Sequence, residues 1–149
     1  MKVGLLDVNV LIALLDPDHE FHHAAHGWCE HNRRHGWATC PITENGCLRI
    51  LSKPGYPQSG LALDQVRDIL AEFVDSEDHR FWPDSVSMLE ANRFQLAGAG
   101  PKNLTDIYLL RLATACGGRL ITFDQGIRPD CIAGSGLDNL EVLPGRRFT

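Results

Sequence analysis

Short apolar runs that stop at an aspartate or a proline recur along the chain and predict buried strands. Residues 3–6 lead directly into Asp7, and residues 120–123 lead directly into Asp124. Three weaker runs, each followed by a proline, occupy residues 37–40, 80–82 and 140–143. Runs of this length without polar alternation are typical of parallel strands that are covered on both faces.

Segments with apolar residues three and four positions apart lie between these runs and predict helices. The clearest is 61–76, in which Val66, Ile69 and Phe73 share one face. Segment 105–116 begins with Thr and Asp and is followed by two glycines, as helices often are. Further helices are predicted at residues 8–15, 21–31, 42–51 and 85–96. Strands that alternate with helices indicate an α/β fold with a mostly parallel sheet.

Composition agrees with one ordinary globular domain spanning residues 1–149. The chain is 44% hydrophobic and 22% charged, and no apolar run approaches the ~18–20 residues of a membrane span. The first apolar run is too short for a secretory signal. The five cysteines include no C-x-x-C pair, so we expect free thiols and a cytoplasmic protein. A net charge of −5 neither indicates nor excludes a nucleic-acid enzyme.

Four carboxylates are placed where a parallel sheet would bring them together. Asp7 and Asp124 follow the two clearest strands, while Glu44 and Asp106 lie at the starts of predicted helices. Ligands of open parallel sheets bind at the carboxyl ends of the strands. Clustered carboxylates repel one another unless a cation is bound, and oxygen-only ligands suit Mg²⁺ or Mn²⁺. Such a site can activate water for an in-line displacement at phosphorus.

Each acid taken alone also has an ordinary structural interpretation. An aspartate after a strand often caps a helix, and an acid in the first helical turn interacts with the helix dipole by ~0.3–1 kcal/mol. The position of all four at one predicted edge favours the metal site.

Four blocks around these acids resemble, in order and spacing, the PIN-domain nucleases, and especially the VapC toxins of bacterial toxin–antitoxin pairs. The blocks are LLDVNVLIAL at 5–14, PITENG at 41–46, TDIYL at 105–109 and TFDQG at 122–126. The turn at 16–19 and the segments LRIL at 48–51 and KPGYP at 53–57 are also VapC-like.

The resemblance implies a three-layer α/β/α sandwich around a mostly parallel sheet of about five strands, with the first strand central. It implies an endoribonuclease that acts as a toxin, often on tRNA or ribosomal RNA, and is inhibited by a VapB-type antitoxin. A homodimer is also expected from the family. The residues that would hold one or two Mg²⁺ or Mn²⁺ ions are Asp7, Glu44, Asp106 and Asp124. Asn9 and Thr122 match the polar positions that orient the acids or the water.

Two other groups of residues are candidates for binding. Arg49 and Lys53 flank a loop rich in proline and glycine and are candidate contacts to the RNA backbone, although ordinary solvated surface explains them equally well. Four histidines have zinc-like spacing but no H-E-x-x-H motif and no third ligand, so we favour a partly solvated helix start. They are His19, His22, His23 and His26.

Three alternative functions fit parts of the sequence. A haloacid-dehalogenase-like phosphatase needs a second aspartate two positions after Asp7, where this chain has Asn9. A response-regulator receiver domain needs an aspartate after its middle strand and a late lysine, and here Asp84 and Lys102 are poor substitutes. A PIN-fold RNA-binding or RNA-processing module that is not a toxin fits the fold, but four intact acids argue against a module without catalysis.

Overall fold

Five short parallel strands form the centre of the part of the protein that the structure describes. The computed structural model describes residues 2–56 and 60–145 of the 149-residue chain. In chain order the strands are β1 (Gly4–Leu6), β2 (Trp37–Thr39), β3 (His79–Phe81), β4 (Arg119–Thr122) and β5 (Leu140–Val142). They pair in the order β3-β2-β1-β4-β5, and every pair is parallel. The predicted sheet and the central position of its first strand are confirmed.

Within the described residues, five α-helices cover the sheet and complete the three layers. They are α1 (Val8–Leu15), α2 (His22–Asn32), α3 (Pro41–Leu51), α4 (Leu63–Val74) and α5 (Leu104–Ala115). Because side chains alternate along a strand, Leu6 packs into the apolar core beneath α1 to α4, while Leu5 packs into the core beneath α5. Across residues 2–56 and 60–145, no helix combines the length and the apolar character needed to cross a bilayer.

Two helices begin directly at the carboxyl ends of central strands. Asp7 follows β1 and caps α1, since its Oδ1 accepts the backbone N–H of Val8 at 2.8 Å. Helix α3 begins one residue after β2, with Pro41 in its first turn, where proline needs no N–H partner. These short connections bring the helix N-termini to the same edge of the sheet as the strand ends.

The helix predicted at residues 85–96 is wrong. Ser87 forms a turn there, in which its hydroxyl accepts the N–H of Leu89 at 3.1 Å. Asn92 has a φ of 65°, a left-handed conformation that cannot continue an α-helix. Leu89 is 91% exposed, so the three-and-four spacing does not mark one buried face. The apolar side chains of this segment that do pack against the α5 core are Val86, Met88 and Phe94.

Close packing of α3 against α1 depends on a glycine. A Cβ at Gly46 would stand 2.7 Å from Val8 Cγ2. We expect Gly46→Ala to lower the free energy of unfolding by about 1 kcal/mol, because overpacking (~1–3 kcal/mol) exceeds the gain in helix propensity (~0.5–1 kcal/mol). Gly27 on α2 is the control, since no heavy atom lies within 4 Å of its Cβ position. Gly27→Ala should raise the free energy of unfolding by ~0.5–1 kcal/mol. Equal gains in urea denaturation would contradict the close contact.

Candidate metal centre

Asp7 is a buried carboxylate at the centre of the carboxyl edge of the sheet. Only 5% of the residue is exposed. In addition to Val8, it accepts a hydrogen bond from Thr122, whose Oγ1 lies 2.8 Å from Asp7 Oδ2. Burial raises the pKa of Asp7, and the negative charge of Asp124 adds to this effect, although the two hydrogen bonds act in the opposite direction. Burial disfavours the charged form of this carboxylate, so a cation bound beside it would stabilise it.

Thr122 joins the ends of β4 and β1 through one hydroxyl group. Its proton goes to Asp7, and its oxygen accepts from Asn9 Nδ2 at 3.3 Å and from the Asp124 backbone N–H at 3.0 Å. The amide oxygen of Asn9 in turn accepts the N–H of Phe123 at 3.2 Å. The two supporting polar residues that the resemblance singled out therefore lie in one network with Asp7 and Asp124. Their role in orienting the acids stays a prediction.

Asp106 and Asp124 interact with one another at this edge. Asp106 lies in the first turn of α5, and its pKa is raised to about 7 by burial, by a hydrogen bond with Asp124 and by the charges of Asp7 and Asp124. Asp124 Oδ1 also accepts the N–H of Gly126 at 2.8 Å, which holds its turn. Three of the four predicted acids thus lie within electrostatic reach of one another.

Glu44 lies at the neighbouring strand end, on the first turns of α3. Its Oε2 accepts a hydrogen bond of 2.8 Å from Thr39, the last residue of β2. It is not among the groups that raise the pKa of Asp7 or Asp106. The structure therefore groups three acids and holds the fourth one strand away, and the participation of Glu44 in a shared site stays a prediction.

The donor atoms at this edge fit Mg²⁺ or Mn²⁺. All are carboxylate oxygens, and like charges this close favour a bound cation over three ionised, unpaired carboxylates. Within residues 2–56 and 60–145, however, no three His, Cys, Asp or Glu side chains form a preformed metal cage. Mg²⁺ does not need one, since it commonly binds one or two protein carboxylates together with waters and substrate phosphate.

The raised pKa of Asp106 predicts an unusual pH dependence for the metal-free protein. The folded state holds the Asp106 proton up to about pH 7, whereas an unfolded aspartate, with its ordinary pKa of 3.8, releases it near pH 4. Stability should therefore fall as the pH rises from about 4 to about 7, and the loss should be complete above that range. In EDTA, we expect wild type to lose ~2–4 °C in Tm relative to Asp106→Asn between pH 5 and pH 8. The loss is limited to a few degrees because water screens the charge of this half-exposed group. Asp68→Asn on the exposed face of α4 is the control, and parallel pH curves for wild type and Asp106→Asn would contradict the prediction.

The other predicted candidates lie away from the three acids. Arg49 and Lys53 are exposed and line a shallow groove along the C-terminal part of α3. Tyr56 donates a hydrogen bond of 2.7 Å to Asp16 Oδ2, which joins the two VapC-like segments at 53–57 and 16–19, although Pro57 lies outside the described residues.

The four histidines are clustered around the start of α2. His22 Nδ1 bonds the carbonyl of Ala13 at 2.7 Å, and the His22 and His26 ring centroids are 5.2 Å apart. A surface pocket there is lined by His22, His23, His26, Gly27 and Glu30, and it contains none of the four acids.

Two polar residues that connect Glu44 to the neighbouring strands are not indicated by the sequence pattern. Thr39 holds Glu44, and His79 Nε2 lies 2.8 Å from Thr39 Oγ1. In the sequence, Thr39 could have been noticed only as a hydroxyl residue near the end of an otherwise apolar run. Nothing in the sequence pattern indicates the contact with His79, which depends on the register of β3 against β2.

Comparison with known proteins agrees with this geometry. The sequence profile of the PIN domain matches residues 4–128. Ribonuclease VapC44 of Mycobacterium tuberculosis is 42% identical over 141 residues, which cover 94% of this chain and 99% of that protein. Ribonuclease VapC39 of the same organism is 40% identical over 132 residues, which cover 88% and 95%.

A solved structure shares the fold at low sequence identity. The crystal structure of VapBC2 from Rickettsia felis, bound to a DNA fragment from its promoter, matches with a TM-score of 0.61 and 15% identity. The match covers 95% of this chain and 99% of that one. At this identity the likeness supports the fold alone, whereas the profile match and the mycobacterial relatives establish descent. The chain therefore belongs to the PIN-domain family and, within it, to the VapC ribonucleases.

Proposed function

We propose that this protein is a divalent-metal-dependent endoribonuclease, the toxin of a toxin–antitoxin pair, with residues 1–149 forming one nuclease domain. The observation that carries the proposal is the hydrogen-bond network in which Thr122 joins the buried Asp7 to Asp124 at the carboxyl edge of the sheet, with Asp106 within electrostatic reach of both acids. The names of the mycobacterial relatives, which are 40–42% identical, support ribonuclease activity.

Asp7, Asp106 and Asp124 would hold the Mg²⁺ or Mn²⁺ ion, with Glu44 as a further ligand. When bound, the ion supplies charge stabilisation at the scissile phosphate and a nucleophilic water. The chain itself contributes positioning. Thr122 holds Asp7 Oδ2, and Val8 N–H holds Oδ1, so the side chain of Asp7 is fixed before a ligand arrives.

The proton on Asp106 is expected to affect metal binding. In the metal-free protein it relieves the repulsion between the carboxyl groups of Asp106 and Asp124. Cation binding requires that this proton leave, so we expect metal affinity to increase with pH across the neutral range.

The proposed partners are those that the resemblance to VapC toxins implies. We propose an RNA substrate of the tRNA or ribosomal RNA class and a VapB-type antitoxin that inhibits the site. The solved VapBC2 complex supports a protein partner of this kind. Arg49 and Lys53 are proposed to contact the RNA backbone. A homodimer and a cytoplasmic location are also proposed, the latter supported by five free thiols, of which four are buried.

The decisive experiment is cleavage of total cellular RNA by the purified chain. Reactions would contain Mn²⁺ or Mg²⁺ in one arm and EDTA in the other, and the new 5′ ends would be mapped. We expect discrete cuts only in the metal arms, and their positions would identify the RNA target. Metal binding would be followed separately as a shift in Tm. A protein that binds RNA but neither cuts it nor responds to metal would be a PIN-fold binding module, contrary to the proposal.

A further inference from the structure

A chain of two hydrogen bonds connects Glu44 to the edge strand β3. His79 Nε2 lies 2.8 Å from Thr39 Oγ1, and Thr39 Oγ1 lies 2.8 Å from Glu44 Oε2. The three residues come from β3, β2 and α3 respectively. The contact therefore crosses two adjacent strands and ends on a carboxylate that is a candidate metal ligand.

The direction of both hydrogen bonds follows from counting protons. An ionised carboxylate can only accept, so the single hydroxyl proton of Thr39 must go to Glu44. The oxygen of Thr39 is then left as an acceptor, and His79 must donate to it from Nε2–H. This fixes the tautomer of a neutral His79, with the proton on Nε2. Any other arrangement leaves two acceptors facing each other.

His79, at the end of this pair of hydrogen bonds that is remote from Glu44, is fixed by packing and strand pairing. The His79 ring packs on the indole of Trp37, with centroids 4.6 Å apart, and β3 pairs with β2 in a fixed register. Thr39 itself has no exposed surface. Burial and the charge of Arg80 lower the pKa of His79, which agrees with a neutral imidazole that carries one N–H. A buried hydroxyl between two fixed elements has little freedom to rotate.

We propose that Thr39 and His79 are positioning residues for Glu44, which direct its carboxylate so that Oε1 remains available to a divalent cation. In residues 2–56 and 60–145, Oε1 takes no hydrogen bond, whereas Oε2 is occupied by Thr39. In this role both residues would act through Glu44 and not on the metal or the substrate directly. Partners of this kind commonly change metal affinity or activity by ~10–100-fold when they are removed. The inference rests on the proposed function, since it assumes that Glu44 serves the metal.

Two substitutions at position 79 separate the hydrogen bond from the ring packing. His79→Gln keeps a side-chain N–H near the position of Nε2 but loses the aromatic contact with Trp37. His79→Phe keeps a ring on Trp37 but has no donor for Thr39. At position 39, Thr39→Ser keeps the hydroxyl, and Thr39→Val replaces it with a methyl group of the same shape. His31→Gln is the matched control, because His31 is exposed and bonds only the carbonyl of Gly27.

The primary measurement is the Mn²⁺ dissociation constant, obtained by calorimetric titration of each purified variant. Cleavage of RNA gives kcat and KM as a second measurement, and Tm in EDTA reports on folding. We expect His79→Phe and Thr39→Val to weaken Mn²⁺ binding ~10–100-fold and to lower kcat with little change in KM. His79→Gln, Thr39→Ser and His31→Gln should stay close to wild type.

A double substitution tests whether the effect passes through Glu44. If it does, Thr39→Val should add little to Glu44→Gln, since the carboxylate that Thr39 positions is already changed. Additive losses would contradict the proposal. The proposal would also be contradicted if His79→Gln lost Mn²⁺ affinity while His79→Phe retained it. That pattern would assign the effect to ring packing on Trp37.

Failure of the proposed function has a different signature. In that case wild type and His31→Gln would themselves neither bind Mn²⁺ nor cut RNA. If both bind and cut, and all variants at positions 39 and 79 match them, the positioning role is wrong and the proposed function stands.

Discussion

Asp7→Asn is expected to abolish RNA cleavage while the protein remains folded. The substitution keeps the shape of the side chain and the acceptor for Val8 N–H but removes the negative charge that a cation requires. Loss of metal-centred charge stabilisation costs several kcal/mol in the transition state, which corresponds to about 10³-fold or more in rate. Single-turnover cleavage of an identified RNA target in Mn²⁺ would measure the loss.

The stability of Asp7→Asn provides the control for this result. Burial raises the pKa of Asp7 despite its two hydrogen bonds, so its charge destabilises the metal-free fold. The variant should therefore melt in EDTA at a temperature equal to or above that of wild type. Cleavage at the parental rate would refute the assignment of the metal site. A clear fall in Tm would instead assign Asp7 a structural role.

Thr122→Val is expected to damage both stability and activity. The substitution leaves Asp7 Oδ2 without its donor and Asp124 N–H without its acceptor, in a position with no exposed surface. Each unsatisfied buried polar group costs about 1–3 kcal/mol. We therefore expect the free energy of unfolding to fall by about 2–4 kcal/mol, because Asp124 is less buried than Asp7. Cleavage should fall ~10–100-fold, as expected for a residue that orients a metal ligand.

Two further threonine variants separate the hydroxyl of Thr122 from general effects of the substitution. Thr122→Ser keeps the hydroxyl and should retain most of the activity. Thr114→Val removes a hydroxyl that bonds only the Leu110 carbonyl of its own helix, at 2.8 Å, and should be nearly neutral. Urea denaturation and the cleavage assay would be run on all three. A Thr122→Val protein as active as Thr122→Ser would show that the Asp7 carboxylate does not need this hydrogen bond.

The sheet and the positions of its acids could be predicted because buried strands have a recognisable run of apolar residues. A central strand covered on both faces has no polar alternation, and the residue where it emerges is the first that can be charged. Asp7 and Asp124 are of this kind. Their proximity to Asp106 could be predicted from topology, since helix starts and strand ends share one edge of a parallel sheet.

Local turn chemistry and strand register could not be predicted in the same way. Residues 85–96 have helical spacing, but the Ser87 turn and the left-handed conformation of Asn92 interrupt a helix there. The apolar spacing alone does not indicate either feature. The contact of His79 with Thr39 joins residues 40 positions apart and depends on the register of an edge strand. A one-residue slip in that register would turn His79 to the opposite face.

The strand order also has a consequence for the protein as it is being synthesised. The central strand β1 comes first along the chain, but its partner β4 and the Thr122 that fixes Asp7 come 115 positions later. Chains grow from the N-terminus at ~5–20 residues per second, and such distant pairings form only after both segments exist. A nascent chain that ends before β4 therefore has Asp7 but no Asp106–Asp124 pair beside it. The proposed metal centre is therefore absent from the growing polypeptide until β4 and Asp124 have been synthesised.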